Sequence, residues 1–255
     1  MFDDKQLDKL QEDGYLYFEL NEEDKETLRV VRDKVLTFEN IKEITFRYFR
    51  RTTPFRNVDD TDWDYKQPYD INISVSPTVS SDWENMLEEL NEWCNLQEHT
   101  ITNFERNLYF FDGRCEVGGS DNPNWDSLIP ILKNIFNSCY TDNPRNADIK
   151  YRWDYKKSYG INGRIMFKDM WLEHHTDGTY GGVRPCTILL YANEDWKPGD
   201  GGEFVCDGNV LEPTLGNAAI LDFTRDNNVE HGVNPILTDF IRRSWTVFVN
   251  KKGHN

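Results

Sequence analysis

The sequence predicts an α+β fold: a jelly roll of short strands in the C-terminal half, carried by an N-terminal helical support region. Three observations lead there. From residue 148 onward, apolar runs of roughly five to eight residues alternate with Gly, Pro, Asp and Asn turns. Before that point apolar positions recur at helical spacing, as in Leu28, Val31 and Val35. And 255 residues at 38% hydrophobic and 14% aromatic content can bury one large core, with no repeat, low-complexity tract or linker dividing them. A single domain over 1–255 is expected, with 1–147 as the support and 148–255 as the strand core.

Taken in order, Leu7 and Leu10 open a helix that Gly14 breaks, and Tyr15-Leu16-Tyr17-Phe18 reads as the strand after it. Glu22 to Leu36 is a second amphipathic helix whose charged face is solvated surface. Residues 50–82, broken by Pro54, Pro68 and Pro77, read as irregular with one strand at Ile71 to Val75. Ser81 and Asp82 suit the N-cap of a helix from Trp83 to Cys94. Arg106 to Phe111 reads as an aromatic strand stopped at Asp112-Gly113, residues 118–124 as a loop, and Asp126 or Ser127 as the cap of a helix through Ile129, Leu132, Ile135 and Phe136. The expected strands of the second half are Lys150 to Tyr155, Gly163 to Phe167, Trp171 to Asp177, Cys186 to Tyr191, Glu203 to Cys206, Ala218 to Phe223, Val229 to Val233 and Arg243 to Asn250. About eight strands suit a closed or double-sheet jelly roll able to hold a small ligand.

Charge narrows the partners. A net charge of −16 disfavours affinity built on phosphates or anionic lipid, and so disfavours nucleic acid and membrane surfaces. Cys94, Cys115, Cys139, Cys186 and Cys206 are odd in number and contain no C-x-x-C pair, as expected of reduced core thiols in a cytoplasmic protein. The N-terminus lacks the pattern of a secretory signal, and no apolar stretch is long enough to span a bilayer.

The chemistry begins at Trp171-Leu172-Glu173-His174-His175-Thr176-Asp177. Side chains two apart on a strand share a face, so His175 and Asp177 can reach one ion while His174 and Thr176 point away. With 5 His and 45 acidic residues in 255 positions, about one such pair is expected by chance, so the pair needs a third ligand. His231, in Asn228-Val229-Glu230-His231-Gly232-Val233, is the downstream imidazole in a comparable setting. Two imidazoles and a carboxylate on one side of an octahedral ion form the facial arrangement suited to non-haem Fe(II) and O2 chemistry.

What surrounds these residues carries a resemblance. Tyr191-Ala192-Asn193-Glu194-Asp195-Trp196, Gly201-Gly202-Glu203, Glu212-Pro213-Thr214-Leu215-Gly216, His231, and Arg242-Arg243-Ser244-Trp245-Thr246 follow the His-x-Asp pair in an order that resembles the 2-oxoglutarate and Fe(II)-dependent oxygenases, on the prolyl hydroxylase-like branch. It covers about residues 160 to 250, while Leu10 to Tyr15 looks like the helix-then-strand opening common among these enzymes. The resemblance implies a double-stranded β-helix (jelly roll), with His175, Asp177 and His231 as catalytic iron ligands. It further implies O2 as oxidant, 2-oxoglutarate decarboxylated to succinate and CO2, and a hydroxylated substrate C–H, with ascorbate a candidate reductant.

The distal carboxylate of 2-oxoglutarate needs a cation, and a guanidinium makes the stronger bidentate pair. Alternation puts Arg242, Ser244, Thr246 and Phe248 on one face of their strand and Arg243, Trp245, Val247 and Val249 on the other. The Arg-x-Ser-x-Thr match selects Arg242, with Ser244 or Thr246 as hydroxyl partner, and Tyr191 matches the family's phenol at the same carboxylate. Asp195, Asp200 and Asp222 read as turn or capping residues. Gly178, Gly181 and Gly182, around Thr179-Tyr180, are where a substrate could be gripped, and Arg184 and Trp196 are further candidates for that role. The acidic chain fits a basic or neutral peptide or protein better than a nucleic acid, and the resemblance implies a prolyl residue as the site hydroxylated. A small metabolite or nucleobase, or a cupin-like module without catalysis, are the competing readings.

Overall fold

A computed structural model describes residues 2–37, 40–50, 69–73, 108–117, 123–141, 159–168, 170–176, 186–224 and 229–249, with the backbone alone at 41–50, 69–73, 108–117, 123, 124, 159 and 173. The expected strand Lys150 to Tyr155, the helix Trp83 to Cys94, Asp177, Arg184 and the glycine loop after Asp177 lie outside the described residues.

Helix α1 (Asp4–Asp13) begins in a capping box in which Asp3 accepts from the Gln6 N–H and the Gln6 side chain returns the bond, and it ends at Gly14 with φ 78°. Strand β1 (Tyr15–Glu19) and helix α2 (Glu22–Val35) follow as the sequence predicts. Strands β2 (Ile41–Arg50), β3 (Tyr69–Ile73) and β4 (Leu108–Val117) come next, then a 3-10 turn (Pro123–Leu128), helix α3 (Ile129–Phe136) and a π turn (Asn137–Thr141). Then come β5 (Tyr159–Met166), β6 (Leu172–His175), β7 (Cys186–Tyr191), β8 (Phe204–Cys206), β9 (Asn209–Leu211), β10 (Asn217–Asp222), β11 (His231–Val233) and β12 (Arg242–Val249).

Three sequence expectations are corrected here. The N-terminal half is not only a helical support: β1 pairs with β10, and β4 pairs with β5 and β6, so its strands continue the sheet of the second half. β2, which the sequence reading passed over, pairs with β3 and β4. β4 runs straight through Asp112-Gly113. Neighbours on both sides override the turn propensity, and the misfit is absorbed as a register shift where Arg47 faces Asp112 and Tyr48 faces Phe110. Lastly, neither Asp126 nor Ser127 caps α3. Its N-cap is Leu128 without a side-chain bond, because the preceding 3-10 turn leads directly into the helix.

All named pairings are antiparallel. The path runs β1-β10-β7-β12-β5-β4-β6-β11-β8-β9. Its two ends meet: the Tyr17 hydroxyl donates to the Asn209 carbonyl at 3.0 Å, the Asn209 amide donates to the Tyr15 hydroxyl at 2.6 Å, and Tyr17 lies edge-on to Phe204. The sheet therefore curls until β1 touches β8 and β9. Both faces of β12 are buried for different reasons. Trp245, Val247 and Val249 form the outer side, where Trp245 meets Trp125 edge-on and Arg243 donates to the Leu36 carbonyl at the end of α2. Arg242, Ser244 and Thr246 face the inside of the curl. One continuous apolar cluster joins the helices to the sheet, and no described helix is long and apolar enough to cross a membrane.

Candidate functional site

The two predicted imidazoles meet. β11 pairs with β6 so that His231 stands directly across from His175, with ring centroids 4.6 Å apart. A register shift between His231 and Val233 inserts an extra residue into β6. His174 turns onto the backbone of β11, where a Cβ added to Gly232 would sit 2.3 Å from its Cδ2. Strand alternation thus separates His175 from His174 as the sequence predicts, and Gly232 makes room for the one that turns away. His231 is buried, against Phe204 at 5.9 Å between centroids. Its Nδ1 lies 3.1 Å from the Val229 carbonyl. An N–H there donates to that oxygen and places the ring's lone pair on Nε2, as a ligand histidine requires. Among the described residues no three His, Cys, Asp or Glu gather as a metal site, and Asp177 is outside that set.

The predicted anion pocket is built around Arg242, which is 3% exposed. Its Nε donates to the Gly202 carbonyl at 2.8 Å and its Nη1 to Ser244 Oγ at 3.0 Å, with Met166 Sδ at 3.4 Å and the Tyr191 ring centroid 5.0 Å from Cζ. None of these partners is an anion. Burial pulls its pKa below the usual arginine value, and Tyr191 and Glu203 oppose that shift. Tyr191 is fully buried, and its hydroxyl has no hydrogen-bond partner among the described residues. Burial pushes this phenol up to about 12 against the opposing pull of Arg242 and Arg164, so it remains a donor. Thr246, at 5% exposure, completes the buried polar run along β12. Arg243 is accounted for on the other side of β12, donating to the Leu36 and Ile241 carbonyls, and so is not the inward cation.

The motif residues that carried the resemblance are the scaffold of this pocket. The Asn193 side chain donates to the carbonyls of Pro213 (2.5 Å) and Arg243 (3.1 Å) and accepts the Arg243 N–H (2.7 Å). It ties the end of β7 to the start of β12. Trp196 donates to the Gly201 carbonyl at 2.9 Å and is buried, so it holds the Gly-Gly turn. Gly201 and Gly202 have φ of 76° and 75°. A Cβ on Gly201 would fall 2.0 Å from the Pro235 carbonyl oxygen. From outside the sheet, Arg32 of α2 donates to the Ala192 carbonyl at 3.0 Å and to Glu194 at 2.9 Å. Asp200 is a turn acceptor as predicted, for the Lys197 N–H and the Thr238 hydroxyl. Asp222 is a turn acceptor as well, for the Thr224 N–H two residues on, and being buried it also accepts the Tyr140 hydroxyl. Cys186 and Cys206 are buried in the core.

Sequence reasoning missed Gly202, Met166 and Arg164 as parts of this pocket. Strand parity could have found the last two, since Met166 lies across from Arg242, and Arg164 across from Ser244. Phe204 and Tyr17 were also missed. They bridge the sides of the curl, with Tyr17 near enough to Cys206 and Tyr191 for their charges to raise its pKa after burial itself.

Residues 164–250 match the family model of the 2OG-Fe(II) oxygenase superfamily. No curated protein sequence matches the chain. Among solved structures, a Pseudomonas putida prolyl-4-hydroxylase superposes with a TM-score of 0.53 at 12% identity, covering 97% of this chain and 98% of that one. A prolyl hydroxylase of Trichoplax adhaerens, solved in complex with a peptide fragment of the hypoxia inducible factor oxygen degradation domain, gives 0.53 at 14% identity over 97% and 88%. A 2OG-Fe(II) oxygenase family oxidoreductase of Burkholderia pseudomallei gives 0.50 at 13% over 98% and 91%. These likenesses show a shared fold, and the superfamily match over residues 164–250 falls on the span of the resemblance read from the sequence.

Proposed function

We propose, from the 2OG-Fe(II) oxygenase match of residues 164–250, that this protein is a 2-oxoglutarate-dependent, non-haem Fe(II) hydroxylase of a peptidyl or protein prolyl residue, with 1–255 acting as one catalytic domain. The observation that carries the reading is the buried Arg242 guanidinium, whose hydrogen bonds among the described residues go to neutral groups, with the Tyr191 hydroxyl beside it donating to none of those residues. A buried cation next to an unused donor is costly unless an anion fills the gap. The distal carboxylate of 2-oxoglutarate has the charge and acceptor count to do so. The double-stranded β-helix is supported by the antiparallel path whose ends meet through Tyr17 and Asn209.

The facing rings of His175 and His231 fit an iron site, and Asp177, two residues on from His175, has the chemistry to complete the set. Bound there, Fe(II) with 2-oxoglutarate and O2 supplies the oxidising power, one oxygen atom going to succinate as CO2 leaves and the other to a substrate C–H. The chain's own residues position and shield. Arg242 and Ser244 fix the cosubstrate at its distal end, Tyr191 donates its phenolic proton in a hydrogen bond without losing it, and Val229 holds the His231 ring at the required tautomer. Phe204 and Tyr17 keep water from the inner wall.

Support for a peptide substrate comes from the net charge of −16, which suits a neutral or basic polypeptide, and from the peptide held by the Trichoplax neighbour. The test supplies Fe(II), ascorbate, O2 and 2-oxoglutarate to the purified protein and follows succinate with and without proline-containing peptides. Succinate release stimulated by such a peptide, with a mass gain of one oxygen on it, is expected. Stimulation by a small metabolite or nucleobase would displace the prolyl reading, and no succinate with no iron binding would remove the enzyme reading.

A further inference from the structure

The pocket contains a second arginine. In the sheet register Arg164 of β5 lies across from Ser244 of β12, and Ser244 lies across from Tyr191 of β7. Residues directly opposed in antiparallel neighbours project to the same face, so Arg164 shares the inner face with Ser244 and Tyr191, one diagonal step from Arg242. Its Nε is shielded from solvent. Its charge reaches the Tyr191 phenol. On its far side, Glu116 of β4 occupies the next position of the row.

The row reads Glu116, Arg164, Ser244, Tyr191, with Arg242 diagonal to Arg164. Glu116 is the one carboxylate at a register position beside Arg164, whereas the hydrogen bonds of Arg242 go to a carbonyl, a hydroxyl and a thioether. Two guanidiniums facing one low-dielectric corner repel unless an anion lies between them. Ser244, whose hydroxyl already accepts from Arg242, sits between the two.

We infer that Arg164 is a second anion-binding residue of the cosubstrate pocket, acting with Arg242, Ser244 and Tyr191 on the distal carboxylate and so selecting a dicarboxylate over a monocarboxylate 2-oxo acid. This rests on the 2-oxoglutarate reading above.

Calorimetric titration of the full chain loaded with Mn(II) tests it, using 2-oxoglutarate and, as the acid without a distal carboxylate, 2-oxobutyrate. Arg164→Gln should weaken 2-oxoglutarate by about ten-fold or more, the size of one charge-assisted hydrogen bond, and leave 2-oxobutyrate unchanged. Wild-type affinity for 2-oxoglutarate in Arg164→Gln, with only thermal stability lowered, would make Arg164 a structural partner of Glu116 and overturn the inference while the 2-oxoglutarate reading stands. A wild-type protein that binds no 2-oxoglutarate overturns both. Should Arg164→Gln fail to fold, Arg164→Lys decides, since it keeps the charge and loses the planar fork. A several-fold loss confined to 2-oxoglutarate supports the inference, and no loss overturns it.

Discussion

His175 and His231 are direct cross-strand partners, their rings 4.6 Å apart, although 55 residues of sequence separate them. The pairing of β6 with β11 makes one site from two otherwise unremarkable histidines. With Asp177 they are the expected iron ligands. Alanine at any of the three should lower 2-oxoglutarate turnover by at least about 100-fold and reduce iron binding, with the far-ultraviolet circular dichroism retained. Normal turnover in any one variant would remove that residue from the site.

Arg242→Met separates binding from stability. Loss of the buried guanidinium should weaken 2-oxoglutarate by about 100-fold, as truncation of one partner of a buried charge pair does. The ligand-free protein should be as stable as wild type or more so, because an uncompensated buried charge is removed. Titration with 2-oxoglutarate and thermal melts without it are the two measurements. A ligand-free melting point well below wild type would show that the cation is structural.

Asn193→Ala should destabilise by about 3 kcal/mol, roughly 1 kcal/mol for each of the three hydrogen bonds its side chain makes to Pro213 and Arg243. Denaturant unfolding reports this directly. Because the lost bonds hold β12 against the end of β7, 2-oxoglutarate affinity should fall too, even though Asn193 is not itself a ligand of the cosubstrate.

Gly232→Ala would place a methyl 2.3 Å from His174 Cδ2 and 2.8 Å from the Leu172 carbonyl oxygen. β6 must move away from β11, and His175 moves with it. Iron affinity should drop by about ten-fold or more, a loss of the size seen when the groups that orient metal ligands are removed. Equilibrium dialysis of iron against wild type checks it, and unchanged affinity would show that β6 yields without shifting His175.

The buried phenols give the protein an alkaline limit. Tyr191 titrates near about 12 when folded and near about 10 when unfolded. Its contribution to stability is therefore complete below about pH 10 and is lost as pH rises toward about 12, at up to about 1.4 kcal/mol per pH unit. Tyr17 and Tyr140 are raised in the same direction and steepen the loss. Denaturant midpoints measured above about pH 10 should fall with pH, and Tyr191→Phe should flatten that slope by about one proton.

The sequence by itself determined the local and periodic features. The break at Gly14, the amphipathic α2 and the grouping of Arg242, Ser244 and Thr246 on one face of β12 follow from glycine stereochemistry and from periods of 3.6 and 2, which need only near neighbours, while the motif match chose that face as the inward one. The motif order also points to Tyr191, His231 and Arg242 without reference to any contact. Sequence reasoning failed where partners distant in the chain decide. Asp112-Gly113 looks like a turn and runs on as strand because β2 and β6 flank it at Asp112, and β2 itself exists through pairing with β3 and β4. The bond from Trp196 that holds the Gly-Gly turn joins residues whose approach no local period encodes. Only the tertiary structure placed Arg164 in the row with Ser244 and Tyr191, because register across separate strands is fixed by long-range packing that no local period encodes.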